Sequence, residues 1–417
     1  MENGINYLNS LGLHKVKPGL DRIHKLLKSQ GNPQDKVPGI IIGGTNGKGS
    51  VASIITSILS AQGYKVGLYT SPHLIDITER IKINHVEIAE SNLSLILLEL
   101  KEISEKSKIE PSYFEIITAC AFVYFARKNV DFSVLEVGMG GRWDATNIIT
   151  PLASVITNIS KDHSEYLGET IEQIAAEKAC VIKPTVPVIT GATTEALEVI
   201  KQRTKQEASP LLLYGRDFLI KGNNIDHFDY KGVNFDLKNL RSNLKSSYQL
   251  KNIALAIAAI ESLKTNHNIT TSEQCIRDGL SNIHWEGRFE IIRQEPPLIL
   301  DGAHNPGAAK SLVESISEKY PDTLFTFLIA MLNDKGHIEF IKEICSIADK
   351  LIITKVPSER TADTEQLLTL AKEHIDNVEV IEDYRSAYST VLNSNKPSCI
   401  TGSLYLIGAI KNLIQNP

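Results

Sequence analysis

The sequence predicts an α/β protein in two parts. A larger N-terminal domain is built on a mostly parallel sheet with a small antiparallel insert, and a smaller α/β domain follows. Three observations carry this expectation. Short runs rich in Ile, Val and Leu alternate with stretches of helical periodicity, the pattern of a parallel sheet covered on both faces. Glycine turns close two of these runs, in "IIIGGTNGKGS" and "LILDGAHNP". Between about residues 210 and 240 the alternation gives way to short, turn-punctuated segments.

Taken in order, a helical lead-in precedes "KVPGIIIGGTNGKGSVASIITSILSAQG", which reads strand, glycine loop, helix. Val51, Ile54, Ile55, Ile58 and Leu59 recur at helical spacing. "YKVGLYTS" is a second strand, and "YFEIITACAFVYFARKN" a helix packed on two faces. "DFSVLEVGMGG" and "LASVITNIS" are further apolar strands. "TIEQIAAEKACVIKP" is a helix stopped by Pro184, with Lys178 inside it, and "VPVITG" is one more strand. "FLIKGNNIDHFDYKGVNFDLKN" reads as antiparallel strands and "SSYQLKNIALAIAAIESLK" as a helix. From about Trp285 the alternation restarts, with strands in "LFTFLIAML", "KLIITKVP", "VEVIED" and "SCITGS".

The bulk properties exclude several classes. A length of 417 residues allows two or three domains, and 42% hydrophobic with 22% charged residues fits a soluble globular chain. The net charge of −5 and the lack of a basic run argue against nucleic acid or an anionic membrane as partner. The first residues lack the apolar core of a secretory leader, and no run approaches the roughly 18 apolar residues of a membrane span. Five dispersed cysteines form no CxxC pair, which points to reduced thiols and a cytoplasmic setting.

The chemistry begins at "GGTNGKGS", Gly43 to Ser50. Four glycines in eight residues, between a strand and a helix start, bring backbone N–H groups and the helix dipole to one anion site. Thr45, Asn46, Gly47, Lys48, Gly49 and Ser50 are therefore candidates for binding a nucleotide phosphate. Lys48 can reach phosphate oxygens and Ser50 can offer a hydroxyl to Mg²⁺. A tight turn would also use glycines, but not this lysine and hydroxyl. The usual loop places Ser or Thr directly after Lys; here Gly49 intervenes.

Other candidates follow strand ends. Glu136 closes an apolar strand, where a carboxylate points into the ligand crevice of a parallel sheet and suits Mg²⁺. His163, in "KDH", also lies just past a strand; a lone histidine is more often structural. Asp162 beside it is placed to orient it. Lys178 is either a solvated helix lysine or one held in an apolar site with a lowered pKa, able to take up CO₂ as a carbamate. Ser71 and His73 are expected to line the cleft between phosphate and substrate. Arg142 and Asp144 are expected to pin their loop to each other. Trp143 and Trp285 fit either stacking on a flat ligand or packing. Asn252 reads equally as a polar residue on a helix face, and "DGAHNP" as a turn and N-cap before Pro306.

"GTNGKGS" resembles the phosphate loop of the folylpolyglutamate synthase and dihydrofolate synthase family of the Mur ligase superfamily, and six further segments continue the likeness in order. "TSPHL" with "ERIKIN" resembles SPHL…ERI..NG, and "FEIITACAF" resembles FE..T..AF. "LEVGMGGRWDATN" is close to EVGLGGRLDATN. "ITNISKDHSEYLGETIEQIAAEKACVIKP" is similar to IT.IG.DH...LG.T...IA.EKAGIIK. "WEGRFE" looks like WPGR.E, and "LDGAHNP" matches. The departures are His85, Ser160 and Cys180 for Gly, Met139 and Trp143 for Leu, and Glu286 for Pro.

The resemblance implies a P-loop NTPase-like ATP-binding domain over about residues 1–284, insert included, and a Rossmann-like glutamate-ligase domain over about 285–417. It implies an ATP-dependent ligase that joins L-glutamate to dihydropteroate or a reduced folate through an acyl phosphate. We expect both activities; folylpolyglutamate synthase alone, a cell-wall precursor ligase, or a nucleotide-binding module without turnover are the alternatives. It implies two Mg²⁺ ions, with Ser50, Ser71, Glu136 and His163 as ligands, and a carbamylated Lys178 supporting the metal site. Lys48, His163 and Lys178 would be the catalytic residues. Asn252, Arg288, Asp301 and His304 would complete the nucleotide site, with Arg288 on phosphate and Asp301 near the ribose. A monomer is expected, with a cleft that stands open and incomplete until ligands draw the domains together.

Overall fold

The computed structural model describes residues 3–12, 17–333, 335–356, 358 and 360–416. The first sheet has eight strands: β1 Gly39–Gly43, β2 Val66–Tyr69, β3 Ile81–Ile83, β4 Val86–Glu87, β5 Phe132–Glu136, β6 Ala153–Ile156, β7 Val188–Thr190 and β8 Leu211–Leu213. They lie in the order β4-β3-β2-β5-β1-β6-β7-β8. The six from β2 to β8 run parallel, while β3 and β4 turn back antiparallel at one edge.

Why these runs form central strands is visible in β1. Ile40 and Ile42 enter the core shared with helices Lys48–Ala61 and Gln249–His267, whereas Ile41 faces the helix Ile171–Lys178 on the other side. A strand buried on both faces must be apolar at every position. The helix Tyr113–Arg127 covers the opposite face near β2 and β5, and twelve of its fifteen residues are buried.

The insert begins later than the sequence suggests. Leu211–Leu213 pairs in parallel with β7 and forms the edge of the main sheet. The antiparallel part is β9 Leu219–Asn224, β10 His227–Lys231 and β11 Asp236–Leu240. A three-residue apolar run is too short to show, by periodicity, which sheet it joins. Nor does this ribbon stand apart: Phe228, Tyr230, Leu237 and Leu240 bury into the core of the first sheet. The Tyr230 hydroxyl donates to Glu261 at 2.6 Å, and the Glu261 carboxylate also accepts from the N–H groups of Asn234 and Phe235.

The second sheet comprises β12 Glu290–Arg293, β13 Leu298–Leu300, β14 Phe325–Ile329, β15 Ala348–Ile353, β16 Val378–Val380 and β17 Ser398–Thr401. Its order is β12-β13-β17-β14-β15-β16, parallel except for β12. Among the described residues, no helix is long and apolar enough to cross a membrane.

Strand order locates the site. From β1 the chain moves to β2, returns to β5 between them, then crosses to β6 on the far side of β1. Such a reversal opens a crevice at the carboxyl ends of the strands. The glycine loop follows β1, Glu136 ends β5, and Asn158–His163 follows β6. On the second sheet, Asp301 follows β13, Lys335 follows β14 and Gly402 follows β17, three neighbouring strands.

Candidate active site

A cleft of about 330 Å³ lies between these strand ends. Thr45 to Ser50, Ser71, Glu136, His163, Lys178, Asn252, Arg288, Asp301 and His304 all line it. Every residue singled out for phosphate, metal or nucleotide binding is thus brought to one space, from both halves of the chain.

The glycine loop is shaped from beneath. Thr45 N–H donates to the Asn158 carbonyl at 2.8 Å, and Asn46 N–H to the Asn158 side chain at 3.1 Å. Gly47, with φ +83°, ends the loop, and the helix begins at Lys48. Lys48 Nζ donates to the Thr45 carbonyl at 3.0 Å, and Gln249 donates to the Ser50 hydroxyl at 3.3 Å. The intervening Gly49 has a spatial reason. A Cβ there would stand 2.6 Å from Trp285 Cζ2 and 3.2 Å from Glu136 Oε2. The extra glycine lets a carboxylate and an indole approach the loop together.

Glu136 is buried, and its Oε2 accepts from Ser71 N–H at 3.0 Å. Burial raises its pKa against the opposing charge of Lys48. Lys178 is also buried and donates to the Gly44 carbonyl at 2.8 Å. Burial, reinforced by the Lys48 charge, pushes its pKa down to about 7. The helix ends at Lys178 rather than continuing to Pro184, because the chain tightens into a 3₁₀ turn at Ala179–Val181. Lys178 therefore stands at a helix terminus, against the glycine loop.

Asp162 is the polar hub between the halves. It accepts from His163 N–H at 3.0 Å, from Asn305 at 3.3 Å and from Lys335 Nζ at 2.7 Å. His304 Nε2 lies 3.7 Å away and His163 Nε2 3.9 Å away. Burial opposes its charge, but His304, Lys335 and His163 outweigh burial and hold the carboxyl well below the usual range. Asn46 and Asn305 exchange side-chain hydrogen bonds at 3.1 and 2.9 Å. The expectation of an open cleft is not met, since these pairs already join the two halves across it.

Some local expectations are corrected. Arg142 pairs with Glu177 at 2.9 Å, not with Asp144. Asp144 instead accepts from the N–H groups of Gly138, Met139 and Thr146 and from the Thr146 hydroxyl. Donors within a few residues, three of them backbone N–H groups, occupy both of its oxygens. His73 does not line the cleft; its Nδ1 accepts from buried Arg80 at 2.9 Å, and burial with the Arg80 charge lowers its pKa to about 4. Asp301 is occupied by Phe289 N–H, Ala303 N–H and the Tyr248 hydroxyl. Trp285 packs on Gly49, while Trp143 stays half exposed on the wall of a neighbouring cavity.

Lys335, Asn305, Tyr248 and Gln249 were not singled out from sequence. Lys335 follows a parallel strand in "NDKGH", so strand-end position was the available signal. Tyr248 and Gln249 carry none, since they are the N-cap and first residue of a helix and follow no strand end.

The model described as "Mur ligase middle domain" matches residues 42–260, and that described as "Mur ligase, glutamate ligase domain" matches residues 287–403. A dihydrofolate synthase/folylpolyglutamate synthase of Bacillus subtilis is 34% identical over 96% of both chains. The chain belongs to the folylpolyglutamate synthase and dihydrofolate synthase family of Mur ligases. The fold of this Mur ligase agrees with solved structures. A Mycobacterium tuberculosis folylpolyglutamate synthase complexed with ADP superposes with a TM-score of 0.92 at 29% identity, covering 98% of each chain. Escherichia coli FolC in complex with DHPP and ADP superposes with a TM-score of 0.91 at 30% identity, covering 100% of this Mur ligase and 98% of that chain.

Proposed function

We propose that the chain is an ATP-dependent ligase that adds L-glutamate to folate-type pterins, acting as both dihydrofolate synthase and folylpolyglutamate synthase. The observation that carries this reading is the single cleft that gathers the glycine loop, Glu136 and Lys178 from one sheet and Arg288, Asp301 and His304 from the other. ATP phosphorylates the substrate carboxylate to an acyl phosphate. The glutamate amine attacks the acyl carbon, and phosphate leaves. The glycine loop and Lys48 hold the phosphates, Arg288 neutralises them from the far side, and the Asp162 hub holds the halves in register. The nucleotide sits between the loop, Asn252 and Asp301.

The donor set fits Mg²⁺. Among the described residues no three His, Cys, Asp or Glu side chains converge as a complete metal cage. Mg²⁺ suits such a place, since it keeps waters and phosphate oxygens and takes only one or two carboxylates. Glu136 with the Ser50 and Ser71 hydroxyls would hold one ion and His163 a second; the ions would neutralise the developing phosphate charge. Lys178, neutral for much of the time near pH 7, is suited to carbamylation, and the carbamate would supply an anion beside the glycine loop.

Two cavities adjoin the cleft. One of about 600 Å³ is lined by Phe114, Trp143, Tyr166 and Leu167 and offers the aromatic wall a pterin needs. The other, about 540 Å³, runs from Gly49 and Glu136 out to His85 and His284. A cytoplasmic location fits the five free cysteines.

The test is phosphate release by the purified protein with Mg²⁺, ATP and L-glutamate, products being checked by mass. One reaction contains dihydropteroate and the other a tetrahydrofolate monoglutamate. Release in both is expected. Release in one assigns a single activity, and release in neither, from folded protein, rejects the reading.

A further inference from the structure

Glu286, where the family motif has proline, has a partner in the fold. Lys411 is buried on the last helix, Leu404–Gln415. Its Nζ lies 2.7 and 2.9 Å from the two Glu290 oxygens and 2.9 Å from Glu286 Oε2. These two glutamates bracket Gly287 and Arg288, the segment that joins the two sheets.

The Arg288 end of this segment is already secured. Phe289 N–H donates to Asp301 at 2.7 Å, and Gly302 N–H to the Gly287 carbonyl at 2.9 Å. The upstream end carries Trp285, whose indole lies against Gly49 of the phosphate loop. Glu286 between them is more than half exposed, and Lys411 anchors it. The same helix packs Gly408 against the Leu74 carbonyl, beside the Ser71 loop, and Ile407 against Gly287. One helix of the second domain thus meets two segments that border the cleft, the loop at Leu74 and the linker at Glu286–Glu290.

We propose that Lys411 is a positioning residue for ligation: by gripping Glu286 and Glu290 it fixes the upstream end of the linker so that Trp285 stays on Gly49. Lys411 itself does not line the cleft; it acts through the linker. This inference rests on the ligase reading.

The chain has two tryptophans, so Trp143→Phe leaves Trp285 as a sole reporter. In that background Lys411→Met is expected to red-shift Trp285 emission. In the otherwise native chain it should raise the KM for ATP about tenfold, with a smaller change in kcat, and Lys411→Arg should restore most of the loss. A folded Lys411→Met with native emission and native KM overturns the proposal. If losing the buried cation prevents folding, Glu286→Gln at the exposed end takes its place. It should shift both readouts the same way by about threefold in KM, and unchanged values overturn the proposal. If the parent chain shows no ligation, the ligase reading fails, while Trp285 emission still reports whether Lys411 holds the linker.

Discussion

Asn46, in the phosphate loop, and Asn305, at the N-cap of helix Pro306–Lys319, trade amide hydrogen bonds across the two domains at 3.1 and 2.9 Å. Each amide donates once and accepts once. Asn305 also caps Ala308 N–H at 3.0 Å and reaches Asp162 at 3.3 Å. Asn305→Asp keeps the cap, because a carboxylate accepts from Ala308 equally well. It loses the donor to Asn46 and sets a second carboxylate against Asp162. We expect the KM for ATP to rise about tenfold, from the loss of roughly 1–2 kcal/mol of interdomain contact, with the thermal midpoint falling by about a few degrees. Kinetics paired with a melting curve decides this; an unchanged KM would mean that the amide pair does not shape the nucleotide site.

Lys178 makes stability depend on pH in a definite direction. Its pKa falls to about 7 in the folded chain, from about 10.4 for an ordinary lysine. Between those values the unfolded chain binds a proton that the folded chain does not, so stability rises with pH there. Below pH 7 both states hold the proton and the burial cost remains in full. Lys178→Met should therefore flatten the stability profile from pH 7 to pH 9, by at most about 1.4 kcal/mol per pH unit. Denaturant titrations of both proteins in CO₂-free buffer test it, and parallel profiles would refute the assignment.

The same lysine is the candidate for a carbamate. Incubation with ¹³C-bicarbonate at pH 8 should give a carbamate resonance in the native chain that Lys178→Met lacks. If the carbamate supports the metal site, activity should fall at least about a hundredfold in that variant, an order-of-magnitude expectation for losing a charge at the reacting centre. A resonance that persists in the variant would place the modification elsewhere.

Glu136→Gln preserves the acceptor for Ser71 N–H and removes the charge. If this carboxylate holds Mg²⁺, phosphate release should drop about a hundredfold or more while ADP binding survives within a few fold. Ligation at the native rate would end the metal assignment.

Gly49→Ala places a methyl group 2.6 Å from Trp285 and 3.2 Å from Glu136. One or both must move, at about 1–3 kcal/mol for overpacking. The expected signs are a red-shifted Trp285 emission and a KM for ATP raised tenfold or more; native values for both would mean the loop has slack that its contacts do not show.

Much of the site was legible in the sequence because it lies at strand ends. Ile40 to Gly43 and Phe132 to Glu136 read as buried parallel strands from composition alone, and the carboxyl ends of such strands open onto the ligand crevice. Thr45–Ser50, Glu136 and His163 follow from that rule. Local polar chemistry is less legible. Asp144 found nearer donors in backbone N–H groups than in Arg142, and the helix before Pro184 tightened at Ala179 while its sequence still looked helical.

The sequence by itself determined most of the central strands and the helices beside them, the glycine loop and the family, because periodicities of 2 and 3.6 residues and contiguous motifs are local properties. Only the tertiary structure decided which distant polar groups meet. Lys178 reaches Gly44 across 134 residues, Lys335 reaches Asp162 across 173, and Asn305 reaches Asn46 across 259. Periodicity says which face of an element is buried, not which element covers it. Strand order and crossover connections settle that, and they brought the carboxyl ends of two separate sheets face to face around one cleft.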